Sequence, residues 1–398
     1  MRVIQHYYLN GGDNLKLFQN KQRDYFGPAN HSDDTYDFLN RSARDYAERV
    51  REELNKWFSN LPKEEKETMK RRFKTEFISA FFELFLHELY LKLGYDITIH
   101  PKIKGTSNCP DFLVKKDNIK FILEATVNTD LSNEEKRQKA IKQTYYDEIN
   151  KIKSPKCFLR LIEVSLPKGR QPAGRKIRAF LKRKLENIDI DKLFNKYEEK
   201  GFEVLPTWTF EDEEGAFVKV QPIPKSNNTK EKENIRPIGM YPIETKWGGT
   251  ISSLYSSLIS KAGKYGNPDL PYIIAVNSLS NFGTDTYEVM EVLFGTLKYY
   301  INSNGEQTHM DRKPNGLFYG NKGIQYKRVS GVIVTTLLHT NLSKASFHLY
   351  HNPWAKKPFP EKLFPFTQYK AKNGNMVKKD GQKLKDIFEL PDNWPICK

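Results

Sequence analysis

Residues 81–127 read FFELFLHELYLKLGYDITIHPKIKGTSNCPDFLVKKDNIKFILEATV, and this stretch decides the fold. Its first part is apolar nearly all the way round and stops at Gly94, which predicts a buried helix with an ordinary glycine terminus. Between two later apolar runs, Asp117 and Asn118 suit the centre of a tight hairpin turn. The apolar runs themselves predict three strands, at 95–100, 110–114 and 120–128.

The rest of the chain is expected to add helices and strands in mixed order. Upstream, apolar residues at three- and four-residue spacing predict helices over 32–62 and 63–93. Downstream, a polar helix over 132–151 and a strand over 157–164 complete the order helix, three strands, helix, strand. The remaining predicted elements are helices at 175–187, 190–200, 251–265 and 286–294, a hairpin within 207–222, and strands at 272–276, 328–336 and 346–351.

This order predicts an α/β fold with a core of mixed sheet flanked by helices. The polar segment SNNTKEKENIR at 226–236 is the best candidate for a linker. We therefore expect an N-terminal helical region over 1–75, the core over 76–225, and a C-terminal α/β extension of unassigned role over 237–398.

Two acidic side chains are predicted to face each other in the hairpin. Side chains alternate along a strand, so Glu124 and Thr126 share one face. A two-residue turn sets a register in which Asp111 lies directly opposite Glu124. Two acids in an apolar strand pair repel and lose hydration unless a cation lies between them. A divalent cation that prefers oxygen ligands fits that role.

Four features together resemble the PD-(D/E)XK superfamily of nucleases, which has the restriction-endonuclease-like fold. They are Glu83 in the buried helix, Pro110-Asp111, the thirteen-residue step to Glu124, and the turn between them. The resemblance covers residues 77–164. It implies that Asp111 and Glu124 bind Mg²⁺, for which Mn²⁺ can substitute, with the backbone carbonyl of Ala125 as a further ligand. It also implies that Glu83 completes the shell, directly or through water.

The chain departs from the family pattern at Thr126, where the family has lysine. A lysine there would orient the attacking water and balance the charge that develops on phosphorus, and a threonine hydroxyl carries no charge. Lys142, on the predicted helix that follows, is the proposed replacement. Lys120 shares a face with Glu124 but lies ~13 Å away along the strand.

Each of these residues also has an ordinary structural explanation. Glu83 could be a buried acid that His87 satisfies one turn later, and Asp111 a strand-start residue. Glu124 could lie on an exposed edge strand, and Thr126 is a good strand former in any context.

A competing site is IETK at 243–246, where Glu244 and Lys246 have the spacing that the first site lacks. No Pro-Asp precedes it, and its flanks do not read as a buried strand. Motifs of other enzyme classes are absent from the sequence: there is no Walker phosphate loop, no HExxH and no GxSxG.

The charge of the chain favours a polyanionic partner. Lys and Arg number 65 against 49 Asp and Glu, a net charge of +16, and such an excess raises affinity for nucleic acid through counterion release. Between Lys151 and Lys184 there are twelve Lys or Arg and one acid, Glu163. The residues proposed to contact nucleic acid are Lys168, Arg170, Arg175, Lys176, Arg178, Lys182 and Arg183.

The cellular location is expected to be the cytoplasm. Three scattered cysteines (Cys109, Cys157 and Cys397) are too few for a disulfide framework. The N-terminal residues lack the apolar run of a signal peptide, and no run of ~18 apolar residues indicates a membrane span.

We therefore expect a Mg²⁺-dependent endonuclease that hydrolyses phosphodiester bonds in DNA, most simply duplex DNA. By analogy alone, a prokaryotic defence or mobile-element role follows, and a homodimer would supply the two centres that duplex cleavage commonly needs. Two alternatives stay open. One is a nuclease fold that has lost catalysis and acts as a nucleic-acid-binding module, and the other is an RNA-directed nuclease.

Overall fold

The computed structural model describes residues 15–103, 108–226, 229, 235–243, 249–280, 284–372 and 375–396. The helices are α1 Thr35–Arg41, α2 Asp45–Ser59, α3 Lys63–Thr75, α4 Phe77–Lys92, α5 Asn133–Asn150, α6 Gly174–Glu186, α7 Ile190–Lys200, α8 Thr250–Ala262, α9 Thr286–Phe294 and α10 Leu384–Phe388. The strands are β1 Asp96–Ile99, β2 Phe112–Lys116, β3 Ile119–Asn128, β4 Cys157–Ser165, β5 Trp208–Glu211, β6 Phe217–Pro224, β7 Ile238–Met240, β8 Tyr272–Ser278, β9 Leu297–Ile301, β10 Gln307–Arg312, β11 Tyr319–Gly320, β12 Gly323–Ile324, β13 Gly331–Thr335, β14 Phe347–His351, β15 Gln368–Lys372 and β16 Asn375–Lys379.

The chain divides into two compact units. The first contains the described residues of Met1–Gln22, Ala43–Asp130 and Gly248–Lys398, and the second those of Arg23–Ser42 and Leu131–Trp247. The second unit is thus inserted into the first after β3. The predicted core over 76–225 differs from this division, because the cut falls between Asp130 and Leu131, inside that range.

The first unit is built on an eight-stranded mixed sheet in the order β1-β2-β3-β8-β13-β14-β15-β16. Strands β1, β2 and β3 form an antiparallel meander. Strand β3 then pairs in parallel with β8, which pairs in parallel with β13. The predicted α/β class with a mixed sheet and flanking helices is confirmed.

Both faces of this sheet are covered, which explains its sequence pattern. All seven residues of β8 are buried, as expected for a central parallel strand between two helical layers. On one face, Leu254 and Leu258 of α8 pack with Ile122 and Ile274 in a single apolar cluster. On the other face, Tyr90 of α4 meets Phe121 with ring centroids 5.6 Å apart.

The strand beside β3 differs from the sequence prediction. We expected the helix after β3 and the strand over 157–164 to complete the core sheet, but α5 and β4 belong to the second unit. The helix and strand that continue the sheet are α8 and β8. The predicted C-terminal extension therefore supplies the centre of the main sheet, because a long insertion separates β3 from its parallel neighbour.

The second unit has its own sheet and core. Its four strands run in the order β5-β6-β4-β7. Helices α5 and α6 pack on this sheet, with Tyr145, Ile149, Ile177 and Leu181 in one apolar cluster with the strands.

Two long predicted helices are each divided. The helix predicted over 32–62 is α1 and α2, which are separated at Ser42, where the backbone is extended. The helix predicted over 63–93 is α3 and α4, which are separated at Glu76 with φ −141°. The strands and helices predicted after residue 94 match described elements within a few residues, whereas most of the proposed linker lies outside the described residues. None of the described helices is both long and apolar enough to cross a bilayer.

Candidate active site

The β2–β3 hairpin has the predicted register. Lys116 pairs with Ile119 across the two-residue turn, and Asp117 in that turn has φ 53°, a left-handed conformation that Asp tolerates. At the other end Phe112 pairs with Leu123. Continuing this register by one residue sets Asp111 opposite Glu124.

Asp111 is tied to the backbone of the facing strand. Its Oδ2 accepts a hydrogen bond of 2.7 Å from the amide of Ala125. Burial, followed by the charges of Glu124 and Glu83, raises the pKa of Asp111 to about 6, against the opposing effects of the Ala125 amide and of Lys261. The charges of Glu124 and Glu83 therefore both disfavour ionisation of Asp111.

The carbonyl of Ala125 also lies at this end of the hairpin. The amide and carbonyl of one strand residue point to the same neighbouring strand, and the amide of Ala125 meets the β2 side. Pro110, two residues before β2, falls opposite Ala125 when the register is extended, and it has no N–H to donate to that carbonyl.

Glu124 is fully buried and held by three donors. Its Oε1 accepts hydrogen bonds from Lys261 at 2.7 Å and from Lys264 at 2.6 Å, and its Oε2 accepts one from the hydroxyl of Tyr265. Burial by itself would raise the pKa of Glu124, but the hydrogen bonds from Lys261, Lys264 and Tyr265 outweigh it, and the pKa is lowered. Glu124 is therefore a carboxylate with two ammonium partners.

Helix α8 brings these donors to Glu124. Lys261 is in its last turn, and Lys264 and Tyr265 lie in the turn that follows the end of the helix at Ala262. The start of α8 is anchored to the chain just after β3, because the Asp130 carboxylate accepts hydrogen bonds from Ser253 at 2.9 Å and from Thr250 at 3.3 Å.

Glu83 is committed to an arginine. Arg72 of α3 donates from Nη2 to Oε1 at 2.7 Å and from Nη1 to Oε2, a two-pronged pair. The hydrogen bond with Glu83 raises the pKa of Arg72, so the guanidinium stays charged. His87, the partner considered from the sequence, is instead buried, and burial lowers its pKa to about 4.

The predicted three-acid metal shell is not assembled. Within the described residues, no group of three or more His, Cys, Asp or Glu side chains could hold a metal ion. Asp111, Glu124 and the Ala125 carbonyl remain together as oxygen donors, and Glu83 lies apart from them as the partner of Arg72. Two carboxylates and a carbonyl fit Mg²⁺, which usually takes one or two carboxylates and keeps several waters.

A cleft of about 210 Å³ opens at this end of β3. Glu83 and Arg72 form part of its wall, and Ala125, Thr126 and Lys261 form another. Lys261 thus joins the cleft to the buried Glu124. A ligand in this cleft would meet one ammonium group, one arginine–glutamate pair and the β3 residues Ala125, Thr126 and Val127.

Lysines other than the predicted replacement Lys142 contact Glu124. Lys142 is on α5 in the second unit, where its ammonium lies 6.0 Å from the ring centroid of Tyr146. The lysines that reach Glu124 are Lys261 and Lys264. Thr126 lines the cleft as an uncharged residue, so the positive charge comes from a helix rather than from the strand.

Sequence reasoning missed Arg72, Lys261, Lys264 and Tyr265. The signal for three of them was present, because KAGKY at 261–265 ends six residues before the apolar run YIIAV at 272–276. Its meaning depends on β8 lying next to β3, a contact between distant segments. For Arg72, the sequence offered a basic residue on an amphipathic helix and nothing more.

The basic stretch lies in the second unit, and its residues are mostly exposed. Arg178 forms an ion pair with Glu148, and Lys176 and Arg170 with Glu214 at 3.2 and 3.6 Å. Lys168, Arg175, Lys182 and Arg183 are exposed, with Lys182 3.9 Å from Glu186. In the competing IETK segment, Ile243 is 91% exposed, and Glu244 and Lys246 lie outside the described residues.

Comparison with protein-family models, with curated proteins and with solved structures finds no significant match to this chain.

Proposed function

We propose that this protein is a metal-dependent nuclease that hydrolyses phosphodiester bonds in DNA. The observation that carries the proposal is the register pair of Asp111 and Glu124, two close carboxylates with a lysine of the cleft wall bound to one of them. Acids with shifted pKa values beside a cation that faces a cleft are common at functional sites.

The fold supports the proposal through its element order. In the proposal, helix α4, the β1–β3 meander, α8 and β8 would correspond to the restriction-endonuclease-like core, with the second unit inserted after β3. Asp111 and Glu124 would then take the part of the motif acids, and Lys261 of α8 that of the motif lysine.

Asp111, Glu124 and the Ala125 carbonyl would hold the metal. When bound, Mg²⁺ would polarise a phosphate oxygen and lower the pKa of the attacking water. The raised pKa of Asp111 supports this role, because an ion between two repelling carboxylates would relieve the repulsion.

The remaining chemistry belongs to groups on the cleft wall. Lys261 can donate a hydrogen bond to a non-bridging phosphate oxygen and balance the negative charge that develops as water attacks phosphorus. Arg72 orients Glu83 and adds a second positive charge to the wall. The exposed Lys168, Arg170, Lys176 and Arg183 of the second unit are proposed contacts for the DNA backbone.

One observation favours the alternative of a binding module without catalysis. Glu124 already has two ammonium partners, so its charge is balanced without an ion. In this alternative, the lysines stay on Glu124, and Thr126 marks the lost motif position.

The test is cleavage of supercoiled plasmid by the full-length protein with Mg²⁺ or Mn²⁺ and with EDTA. We expect nicked and linear products only with metal, and a loss of about 100-fold or more for Asp111→Asn. The matched control is Glu163→Gln, which removes an exposed acid paired with Lys219 and should leave the rate unchanged.

Binding measured by fluorescence anisotropy in EDTA separates the alternatives. Wild type that binds DNA but cleaves neither DNA nor RNA in any metal would support the binding module and refute the enzyme. Cleavage confined to RNA would move the proposal to the RNA-directed nuclease.

A further inference from the structure

The second unit contains a cavity of about 720 Å³, which is larger than the cleft at β3 and is lined by residues from both parts of its basic stretch. One wall is residues 151–157, the segment between α5 and β4, and the other is a face of α6. On that helix Ile177 and Leu181 turn into the apolar core, which leaves Arg175, Arg178 and Lys182 on the opposite side. The amphipathic pattern of α6 therefore presents a row of cations to the cavity.

The cavity carries a strong positive charge. Its only acidic lining residue among the described residues is Glu186, 3.9 Å from Lys182. Glu148, behind the wall, pairs with both Lys151 and Arg178. Six cationic side chains line the cavity, namely Lys151, Lys153, Lys156, Arg175, Arg178 and Lys182.

Three of these cations are available to a ligand. They are Lys153, Lys156 and Arg175, which are exposed and have no ion-pair partner within the described part of the chain. Lys153 and Lys156 project from one wall and Arg175 from the other, so their charges converge on one concave space rather than spreading along a surface. Convergent cations suit an anion whose charges are clustered, such as a di- or triphosphate.

The cavity also has an apolar part. Ile152, Leu185, Ile188 and Ile190 line it together with Ala179. Ligand cavities commonly measure roughly 300–1,000 Å³ and combine an apolar lining with a few polar groups. The ligand should therefore combine a clustered negative charge with an apolar group.

We infer that this cavity binds a free nucleoside polyphosphate. The phosphates contact Lys153, Lys156 and Arg175, and the base lies among the aliphatic side chains. This site is separate from the proposed nuclease centre, which is built from residues of the first unit, and it needs neither Asp111 nor Glu124.

The test uses the full-length protein in EDTA at 150 mM salt, with a fluorescent N-methylanthraniloyl ATP as the probe. We expect saturable binding with one site per chain, reversed by unlabelled ATP. Inorganic phosphate and adenosine each lack half of the ligand and should compete at least tenfold more weakly. Omitting the divalent metal keeps this result independent of the nuclease assay.

Variants test the location. The double substitution Lys153→Glu with Arg175→Glu should weaken binding more than tenfold, and so should Ala179→Phe, which fills the cavity without changing its charge. The matched control is Lys196→Glu on α7, which reverses an exposed charge of the same unit outside the cavity and should change affinity less than twofold. Circular dichroism and thermal melting verify that each variant is folded.

Three results would overturn the inference. They are the absence of saturable binding up to millimolar probe, an equal loss of affinity in Lys196→Glu, and competition by a 5′-phosphorylated oligonucleotide but not by ATP. The last would assign the cavity cations to a nucleic-acid strand instead.

Discussion

Lys261 donates a hydrogen bond of 2.7 Å to Glu124, although the two residues are 137 positions apart in the chain. Between them lies the inserted second unit. The pairing of β3 with β8 brings α8 back to the hairpin, and the Asp130 carboxylate anchors the start of that helix. The pairing of Glu124 with Lys261 therefore forms only when the tertiary fold brings two distant segments of the chain together.

The first prediction concerns the lysine that acts in the cleft. We expect Lys261→Ala to lower the rate of plasmid cleavage by about 100-fold, because it removes the ammonium that faces the cleft. Affinity for DNA in EDTA should change less than threefold. Lys142→Ala is the control, since Lys142 lies in the second unit beside Tyr146. If Lys142→Ala lost as much activity as Lys261→Ala, the assignment of the lysine would be wrong.

The second prediction asks whether a strand lysine can replace the helix lysine. Thr126 and Lys261 line the same cleft, so Thr126→Lys in the Lys261→Ala background should recover about tenfold of the lost rate. Thr126→Lys alone should give little gain, because it places two ammonium groups together. The measurement is single-turnover cleavage at saturating protein. If the double variant is folded and recovers no activity, Lys261 does not take the role of the motif lysine.

Local features of the site could be predicted from the sequence. The hairpin register followed from the two turn residues Asp117 and Asn118 and from side-chain alternation, and the structure has that register. Turn chemistry and alternation act between neighbours, so one sequence contains all the information that they need.

The partner of β3 could not be predicted in this way. Both Cys157–Ser165 and Tyr272–Ser278 are strands that follow a helix, and turn chemistry and side-chain alternation do not show which one pairs with β3. The first of them interrupts its pattern at Glu163, and the second is buried at all seven positions, as a central parallel strand should be. Choosing the nearer strand led directly to Lys142 instead of Lys261.

The third prediction concerns the stability that Glu124 provides. We expect Glu124→Gln to lower the free energy of unfolding by about 1–3 kcal/mol at pH 7, because Lys261 and Lys264 lose their counter-charge but stay partly hydrated. The pKa of Glu124 is lowered in the folded state. Its contribution is therefore present above the unfolded value of about 4.3 and is lost as the pH falls through the folded value.

Urea unfolding at pH 7 and at pH 3.5 measures this difference. The gap between wild type and Glu124→Gln should shrink at the lower pH. Glu163→Gln, on an exposed pair, should change stability by less than about 0.5 kcal/mol at either pH. A gap that widened in acid would contradict the lowered pKa.

The fourth prediction concerns Asp111, whose pKa is shifted in the opposite direction to that of Glu124. Burial and the charges of Glu124 and Glu83 raise the pKa of Asp111 to about 6, so its ionised form is disfavoured in the folded protein. The free energy of unfolding of wild type should therefore be lowered above pH 6, where Asp111 is ionised, and not below the unfolded pKa of about 3.9. Asp111→Asn, whose amide oxygen can still accept the Ala125 N–H, should therefore be more stable than wild type by about 1–2 kcal/mol at pH 8 in EDTA, and equal at pH 3.5.

Adding Mg²⁺ at pH 8 should stabilise wild type and not the variant, since a ligand bound only by the folded state raises its stability. Urea titrations with and without the metal measure both effects. A less stable Asp111→Asn at pH 8 would show that the acids do not repel, and equal stabilisation of both proteins by Mg²⁺ would place the metal elsewhere.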